Sequence, residues 1–280
     1  MRGGSRCPCS TRRSRTARRS ARHAHRSPGT AARSPCRHPA TGRRLELAGF
    51  GHGRGPPRSG LCYRRRVIED SGTREDIRTR LGGSALDVAP WLLGAHLTHQ
   101  DDDGRVTVRI SEVEAYLGPD DPGSHAFRGR TARNATMFGP AGHLYVYFTY
   151  GMHYCANIVC GSDGRAMGLL LRAGEIVEGA DLARARRNQP ASDLDLARGP
   201  ARLAQALGVD RRFDGADVLA DPFRLVLPGE PPAAISRGPR VGVSGVAGTG
   251  EYPWRFWLPQ DPTVSRYRPG RPPAARKVDP

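Results

Sequence analysis

Lysine is almost absent from this 280-residue chain, whose single lysine is Lys277, close to the C-terminus. A side-chain amine that could attack a sugar or carbonyl carbon and form a Schiff base is therefore lacking in residues 76–268. No apolar run is long enough to span a membrane, and the N-terminus lacks the apolar core of a secretory signal. These absences exclude lysine-based covalent catalysis in that region and predict no membrane association.

Sequence motifs for nucleotides and metals are also absent. The chain contains neither a P-loop nor a dinucleotide-binding glycine fingerprint, and residues 76–268 show no cluster of metal ligands. Four of the six cysteines lie among the first 62 residues, near three histidines, but their spacings match no common zinc pattern. We therefore predict no cofactor and no metal.

Acidic residues are nearly missing from the first 66 residues, which hold 18 arginines and one acid, Glu46. This segment accounts for the whole formal charge of +17, because the other 214 residues hold 26 basic and 26 acidic side chains. The high pI therefore arises from the N-terminal segment alone. A nucleic-acid-binding face on the rest of the chain must be a local patch of positive charge. Residues 1–75 lack apolar periodicity, so we predict a disordered, Arg-rich tail.

Three interpretations of this tail stay open. Its composition, rich in Arg, Ser and Ala and poor in acid, is typical of transit peptides. We prefer either an over-extended translation start in a GC-rich frame or a disordered tail that binds phosphates without sequence preference.

The remaining sequence predicts one α+β domain over residues 76–268, with a mainly antiparallel, curved sheet flanked by helices, followed by a loose C-terminal tail over residues 269–280. Ordered structure is expected to begin near Ser84, a candidate helix cap, with Pro90 interrupting that helix soon afterwards. Strands are predicted at residues 95–100, 105–116, 143–149, 154–160, 167–176, 223–227, 240–243 and 254–258, and helices at 179–187 and 201–207.

Two carboxylates alternate along the second predicted strand. Glu112 and Glu114 share one face with Tyr116, because successive side chains of a strand point to opposite sides. The same alternation would place them on the face of the apolar residues at 106, 108 and 110. A solvated strand face is the simpler interpretation, but a carboxylate at the rim of an apolar face is costly unless it has a partner or a task. One such task is that of a general base that takes a proton from water.

Five aromatic rings lie in residues 144–154, around a Tyr150-Gly151 dipeptide that is typical of a hairpin tip. We expect an aromatic core for Phe148 and Tyr154, whereas Tyr150 beside a glycine should project. Extruding a nucleotide from a duplex costs a few kcal/mol of stacking. Stacking one base on an aromatic ring contributes about 1–3 kcal/mol, so a projecting tyrosine suits the gap that the extruded nucleotide leaves.

Two polar residues interrupt apolar strands. Asn157 lies in the run 155–160, where its amide either bridges the backbone or discriminates a base edge, since it both donates and accepts. Arg172 follows three leucines and is either an ordinary strand-end charge or the partner of a glutamate that holds a phosphate or a water.

Taken together, these residues resemble the alkyladenine DNA glycosylase family, the 3-methyladenine DNA glycosylases that use a water nucleophile. The resemblance covers about residues 85–267 in one register and excludes the tail. Arg202 departs from it, where relatives often carry Lys, although the charge is kept. The segments that carry the resemblance are 112–119 (EVEAYLGP), His125, 133–134 (RN), 137–138 (MF), 144–152 (LYVYFTYGM), Asn157, 171–173 (LRA), 199–200 (GP), 203–207 (LAQAL), 239–243 (PRVGV) and 253–256 (PWRF).

The resemblance implies the roles of the residues at the reaction centre. Glu114 matches the general base that activates the attacking water, and Arg172 matches the residue that helps to hold it. Tyr116, His125 and Tyr147 match the pocket that sandwiches and hydrogen-bonds the flipped base.

It also implies how DNA is held. Tyr150 matches the residue that fills the gap in the duplex, and Met152 and His153 would flank it in the minor groove. Asn157 matches the residue that disfavours the exocyclic amine of normal guanine. The implied partner is double-stranded DNA with a damaged purine, and the protein is expected to be a cytoplasmic monomer, nucleoid-associated in a bacterium.

The sequence therefore predicts a monofunctional glycosylase that hydrolyses the bond to an alkylated or deaminated purine and leaves an abasic site. Two alternatives stay open. An inverting sugar glycosidase would use Glu112 and Glu114, whose separation of roughly 7 Å falls in the inverting range, and would act on oligosaccharides. A non-catalytic nucleic-acid-binding protein would depend on its tail, so deletion of residues 1–66 would destroy its function.

Overall fold

The computed structural model describes residues 72–149 and 151–271. The predicted Arg-rich tail up to residue 71, Tyr150 and the last nine residues lie outside the described residues. Within these ranges no helix is long and apolar enough to cross a membrane. The helices are α1, Arg74–Leu81; α2, Ala85–Leu92; α3, Ala180–Arg186; and α4, Pro200–Leu207. The strands are β1, His96–Asp101; β2, Gly104–Tyr116; β3, Leu144–Thr149; β4, His153–Cys160; β5, Met167–Glu178; β6, Ala197–Arg198; β7, Phe223–Val226; β8, Ser236–Gly238; and β9, Arg255–Trp257.

These strands form one sheet, in which every pairing is antiparallel. The main path runs β3-β4-β5-β2-β1-β7, while β6 joins β5, and β9 joins both β2 and β8. The predicted α+β class with an antiparallel sheet is confirmed. Strand β2 lies near the centre of the path, and most of its residues are buried.

Helix α1 lies ahead of Ser84, where the sequence predicts the start of ordered structure, so that expectation is wrong. Only Ile77 and Leu81 of this helix are buried, and most of its other residues are charged, which hides it from a search for apolar periodicity. A capping box begins the helix: Thr73 accepts the Asp76 N–H, and Asp76 accepts the Thr73 N–H.

Two further predictions differ from the structure. Pro90 lies inside α2, which continues to Leu92. Residues 240–243 form no strand, although the alternating Val241 and Val243 imitate one. Gly242 has a φ of 71°, in the left-handed region, and this conformation ends the extended backbone on which a strand depends.

A β-bulge in β2 decides which face the two glutamates occupy. The pairing of β2 with β5 shifts register between Ile110 and Glu112 and again between Glu112 and Val113. Val113 and Ala115 therefore join Ile110 in the main apolar cluster, and Glu112 and Glu114 point to the other side of the sheet. The predicted continuation of the apolar face by the glutamates is wrong, because simple alternation takes no account of an extra residue.

The two faces of the sheet are covered differently. Helices α2 and α4 pack against one face, where Leu203 and Leu207 belong to the main apolar cluster. A smaller apolar cluster lies under the loop that joins β2 to β3, and it includes Tyr145, with Tyr147 packed against it. The carboxylates of β2 thus face the loop side rather than the helix side.

Candidate active site

The register of four strands brings the candidate side chains to one face. Tyr145 on β3 pairs with Asn157 on β4, Asn157 pairs with Leu170 on β5, and Leu170 pairs with Glu114 on β2. Directly paired residues of an antiparallel sheet point to the same face. Asn157 and Glu114 therefore face the same space, two strands apart.

The Glu114 carboxylate is fully buried and has three polar partners. Its Oε1 accepts the Val241 N–H at 2.6 Å and lies 3.4 Å from Arg172 Nη1. Its Oε2 accepts the Tyr116 hydroxyl at 3.0 Å. These donors hold the carboxylate in one orientation, and the bond to Oε2 comes from Tyr116, whose side chain is itself half-buried.

Glu112 is also fully buried, but its oxygens are occupied by structural partners. Its Oε1 accepts from Arg172 Nε at 2.9 Å, Arg255 Nε at 2.6 Å and the Ser265 hydroxyl at 3.0 Å. Its Oε2 accepts the Ser265 N–H at 2.7 Å. Glu112 therefore anchors Arg172, and Arg172 in turn contacts Glu114.

Three aromatic side chains contact one another on the same face of the sheet as Glu114 and Asn157. His125, from the loop between β2 and β3, packs edge-on against Tyr147, with ring centroids 4.6 Å apart at an angle of 80°. Its Nδ1 lies 3.1 Å from the Tyr145 hydroxyl, and the rings of Tyr145 and Tyr147 stack at 5.6 Å. Tyr145 is buried, Tyr147 is half-buried and His125 is exposed, so the last two offer ring surface to a ligand.

Desolvation and nearby charge set the protonation states of these groups. Burial raises the pKa of Tyr116 and of Tyr147 well above the usual range, and the nearby Glu114 adds to both shifts. Partial desolvation of the His125 ring lowers its pKa, and Arg133 lowers it further. Near neutral pH these side chains are therefore two neutral phenols and a neutral imidazole, which can stack on a base and exchange hydrogen bonds with it.

Asn157 is buried, and its Nδ2 donates to the Tyr145 carbonyl at 3.1 Å. This bond is the backbone bridge that the sequence leaves open as one alternative. Because the amide carries a second N–H and an acceptor oxygen, the bridge fixes its plane without excluding a role towards a ligand.

The hairpin between β3 and β4 ends in a tight turn. Met152 donates its N–H to the Thr149 carbonyl at 3.2 Å, and Gly151 has a positive φ of 68°. Met152 is 66% exposed and His153 is also exposed. Tyr150 lies outside the described residues, so its projection from the tip stays a prediction.

A surface groove beside this hairpin is lined by arginines and aromatic rings. Arg133 and Arg211 flank Phe148 and Tyr154, whose ring centroids lie 4.9 Å apart. Phe148 is 45% exposed, so its predicted core position is wrong, whereas Tyr154 packs against the main apolar cluster. Arg211 donates to the Val146 carbonyl at 2.8 Å, which holds its guanidinium at the groove.

Sequence reasoning missed four residues that complete the site: Tyr145, Val241, Arg255 and Ser265. Val241 and Arg255 lie in segments that carry the family resemblance, but spacing alone assigns them no contact. Tyr145 shares a strand face with Tyr147, which is a signal that could have identified it. Within residues 72–149 and 151–271, no group of His, Cys, Asp or Glu side chains is arranged to hold a metal ion.

Comparison with known proteins identifies the family of this chain. The methylpurine-DNA glycosylase family matches residues 80–262. Similar proteins, each provisionally named a 3-methyladenine DNA glycosylase, occur in Streptomyces avermitilis, with 60% identity over 188 residues, and in Leifsonia xyli subsp. xyli, with 56% over 190. These matches cover 65% and 66% of this chain and 87% and 89% of the respective relatives. The chain belongs to the methylpurine-DNA glycosylase family, which confirms the resemblance seen in the sequence.

Proposed function

We propose that this protein flips an alkylated or deaminated purine out of duplex DNA and hydrolyses its N-glycosidic bond, leaving an abasic site. One observation carries the proposal: the buried Glu114 carboxylate, with Arg172 at 3.4 Å, shares a sheet face with Asn157 and contacts Tyr116. Family membership and the provisional names of the relatives support a damaged purine as the substrate. The test is base release from duplexes that each carry one defined lesion.

In the proposed reaction Glu114 takes a proton from a water whose oxygen attacks C1′ of the deoxyribose. The bond from C1′ to the purine nitrogen breaks, and its electron pair leaves with the base. Because the Glu114 side chain has no exposed area, water reaches Oε2 once the Tyr116 hydroxyl turns from it towards the bound base. With Lys277 the only lysine, water rather than an amine is the nucleophile, and no strand cleavage through a Schiff base is expected.

The pocket is suited to electron-poor purines. A purine alkylated at N3 or N7 carries positive charge, and the faces of Tyr116 and Tyr147 attract it by about 0.5–2 kcal/mol through cation–π interaction. A difference of roughly 1.4 kcal/mol is only tenfold in affinity. Selectivity must therefore also come from the lability of the damaged bond and from exclusion of normal bases at Asn157.

The surface proposed to contact DNA is the end of the β3–β4 hairpin together with the neighbouring groove. Met152 and His153 are exposed at the hairpin end, and Arg133 and Arg211 supply cations beside the exposed ring of Phe148. Cations next to aromatic surface suit a polyanion that carries planar bases. Such a local patch is what a domain with no net charge needs in order to bind DNA.

The alternatives fit the geometry less well. A sugar glycosidase of the inverting type needs two carboxylates that reach substrate, but the oxygens of Glu112 are occupied by Arg172, Arg255 and Ser265. A protein that works only through its tail has no use for a buried glutamate–arginine pair beside a pocket of neutral rings, which is costly to maintain.

Replacing Asn157 with alanine is expected to raise the release of 7-methylguanine relative to 3-methyladenine by roughly tenfold, a change of about 1.4 kcal/mol. The substitution removes the group proposed to exclude the exocyclic amine, which guanine has at C2 and adenine lacks. Single-turnover rates on the two lesions measure the ratio, and the 3-methyladenine rate serves as the internal control. An unchanged ratio would remove Asn157 from base discrimination.

Replacing Tyr150 with alanine is expected to slow base release from a paired lesion by about 10-fold to 100-fold, because the variant loses roughly 1–3 kcal/mol of stacking in the gap. The same lesion in a single strand needs no wedge, so there the deficit should shrink to about twofold. Equal activity of variant and wild type on the duplex would refute the wedge assignment.

A further inference from the structure

A buried ion pair lies next to the site, and the proposed chemistry does not use it. Arg240 and Asp121 are both fully buried. Two guanidinium nitrogens of Arg240 contact the two carboxylate oxygens of Asp121, at 2.5 and 2.7 Å. Arg240 also donates to the carbonyls of Ala115 at 3.0 Å and Ala247 at 3.1 Å, while Asp121 accepts the Gly123 N–H at 2.8 Å. The pair thus joins the end of β2, the loop that follows it and the segment after β8.

This ion pair is connected to Tyr116 through the Arg240 guanidinium and to Glu114 through the peptide group of the next residue. The guanidinium carbon of Arg240 lies 4.6 Å from the centroid of the Tyr116 ring and 5.1 Å from that of Trp254. The next residue along the chain, Val241, donates its N–H to Glu114 Oε1 at 2.6 Å. Fixing the Arg240 guanidinium therefore fixes a surface for the Tyr116 ring and the peptide group that holds Glu114.

Stability alone is a poor explanation of this arrangement. Burying an ion costs several kcal/mol, and a well-packed apolar pair is often as stable as a buried ion pair. Arg240 Nε is, in addition, buried with no hydrogen-bond partner among the described residues. Packing around the pair is close as well, since a Cβ at Gly123 would lie 2.7 Å from Arg240 Nη2. These features indicate a geometry kept for a purpose other than stability.

We propose that Arg240, held by Asp121, is a positioning residue that sets the Tyr116 ring and the Glu114 carboxylate relative to each other. This inference rests on the function proposed for Glu114 and Tyr116. A planar guanidinium clamped by both carboxylate oxygens offers the ring a flat, fixed surface. A displacement of about 1 Å at a reacting group can cost on the order of 100-fold in rate, so the clamp acts on the chemical step.

The test compares Arg240→Lys with a matched control. Lysine keeps the charge but loses the planar, two-pronged contact, so single-turnover base release should fall by about 10-fold to 100-fold. Affinity for an uncleaved lesion duplex should fall by less than the rate does, at most about tenfold, because Tyr116 supplies only part of the stacking on the flipped base and the backbone contacts lie at the hairpin end. The control is Arg186→Lys, because Arg186 forms a 2.6 Å ion pair with Asp101 between α3 and β1. It should keep the wild-type rate, with a smaller loss of thermal stability because this ion pair is partly exposed.

Asp121→Asn supplies a second route to the same result. It should slow base release like Arg240→Lys, and the double variant should be no slower than the slower single variant, because the two residues act as one unit. Base release by Arg240→Lys and Asp121→Asn as fast as that of Arg186→Lys would overturn the positioning role. The role would also be overturned if the rate of each variant fell only in proportion to the fraction of its protein that still binds DNA. Failure of the wild type to release any damaged base would instead overturn the proposed function itself.

Discussion

Replacing Glu114 with glutamine is expected to slow release of a damaged base by at least about 100-fold, since general-base catalysis contributes on the order of 10²–10⁴. Glutamine keeps the shape of the side chain and can still accept the Val241 N–H, but it cannot take a proton from water. The fold should survive, because Arg172 keeps its bond to Glu112 at 2.9 Å.

Single-turnover kinetics on a duplex with one 3-methyladenine provide the measurement, and a titration with the same duplex gives the affinity. Binding by Glu114→Gln should stay within about threefold of the wild type, because the lost interaction belongs to the transition state. Glu175→Gln is the matched control: Glu175 pairs with Arg109 at 2.9 Å on a partly exposed part of β5, and its variant should keep the wild-type rate. Unchanged base release by Glu114→Gln would remove Glu114 from its role.

Replacing Glu112 with glutamine is expected to act on stability instead, lowering the free energy of unfolding by about 3–5 kcal/mol. The substitution removes the carboxylate that pairs with the buried guanidinium groups of Arg172 and Arg255, while Arg172 still has Glu114 at 3.4 Å. For a domain of this size, roughly 2–4 °C of melting temperature is lost for each kcal/mol. A fall of about 6–20 °C should therefore be measured.

Urea and thermal unfolding followed by circular dichroism measure this effect, with Glu175→Gln again as the control. Loss of that half-exposed ion pair should change the free energy of unfolding by less than about 1 kcal/mol. A Glu112→Gln protein that is as stable as the control, yet unable to release the base, would exchange the roles assigned to the two glutamates.

The secondary structure was partly readable because much of it is encoded locally. The predicted strands at 95–100 and 105–116 differ by one residue at their ends from His96–Asp101 and Gly104–Tyr116, since apolar alternation and a polar turn mark a hairpin. Helix α1 was not predicted, because only Ile77 and Leu81 of this helix are buried. The strand predicted at residues 240–243 does not form, because a glycine with positive φ interrupts the alternating pattern.

The sequence by itself determined the chemistry that is available: one lysine at the far end, a glutamate-bearing strand, an aromatic hairpin and an arginine after an apolar run. These are properties of residue type and near-neighbour spacing, so they need no knowledge of the fold. Only the tertiary structure decided which of the two glutamates has its carboxylate oxygens occupied by structural partners. The bulge turns Glu112 and Glu114 away from the helices. Arg255 and Ser265, which are 143 and 153 residues beyond Glu112, then occupy the oxygens of Glu112 and leave Glu114 beside the aromatic rings. Contacts between such distant positions arise from the packing of the whole chain, and local spacing carries no record of them.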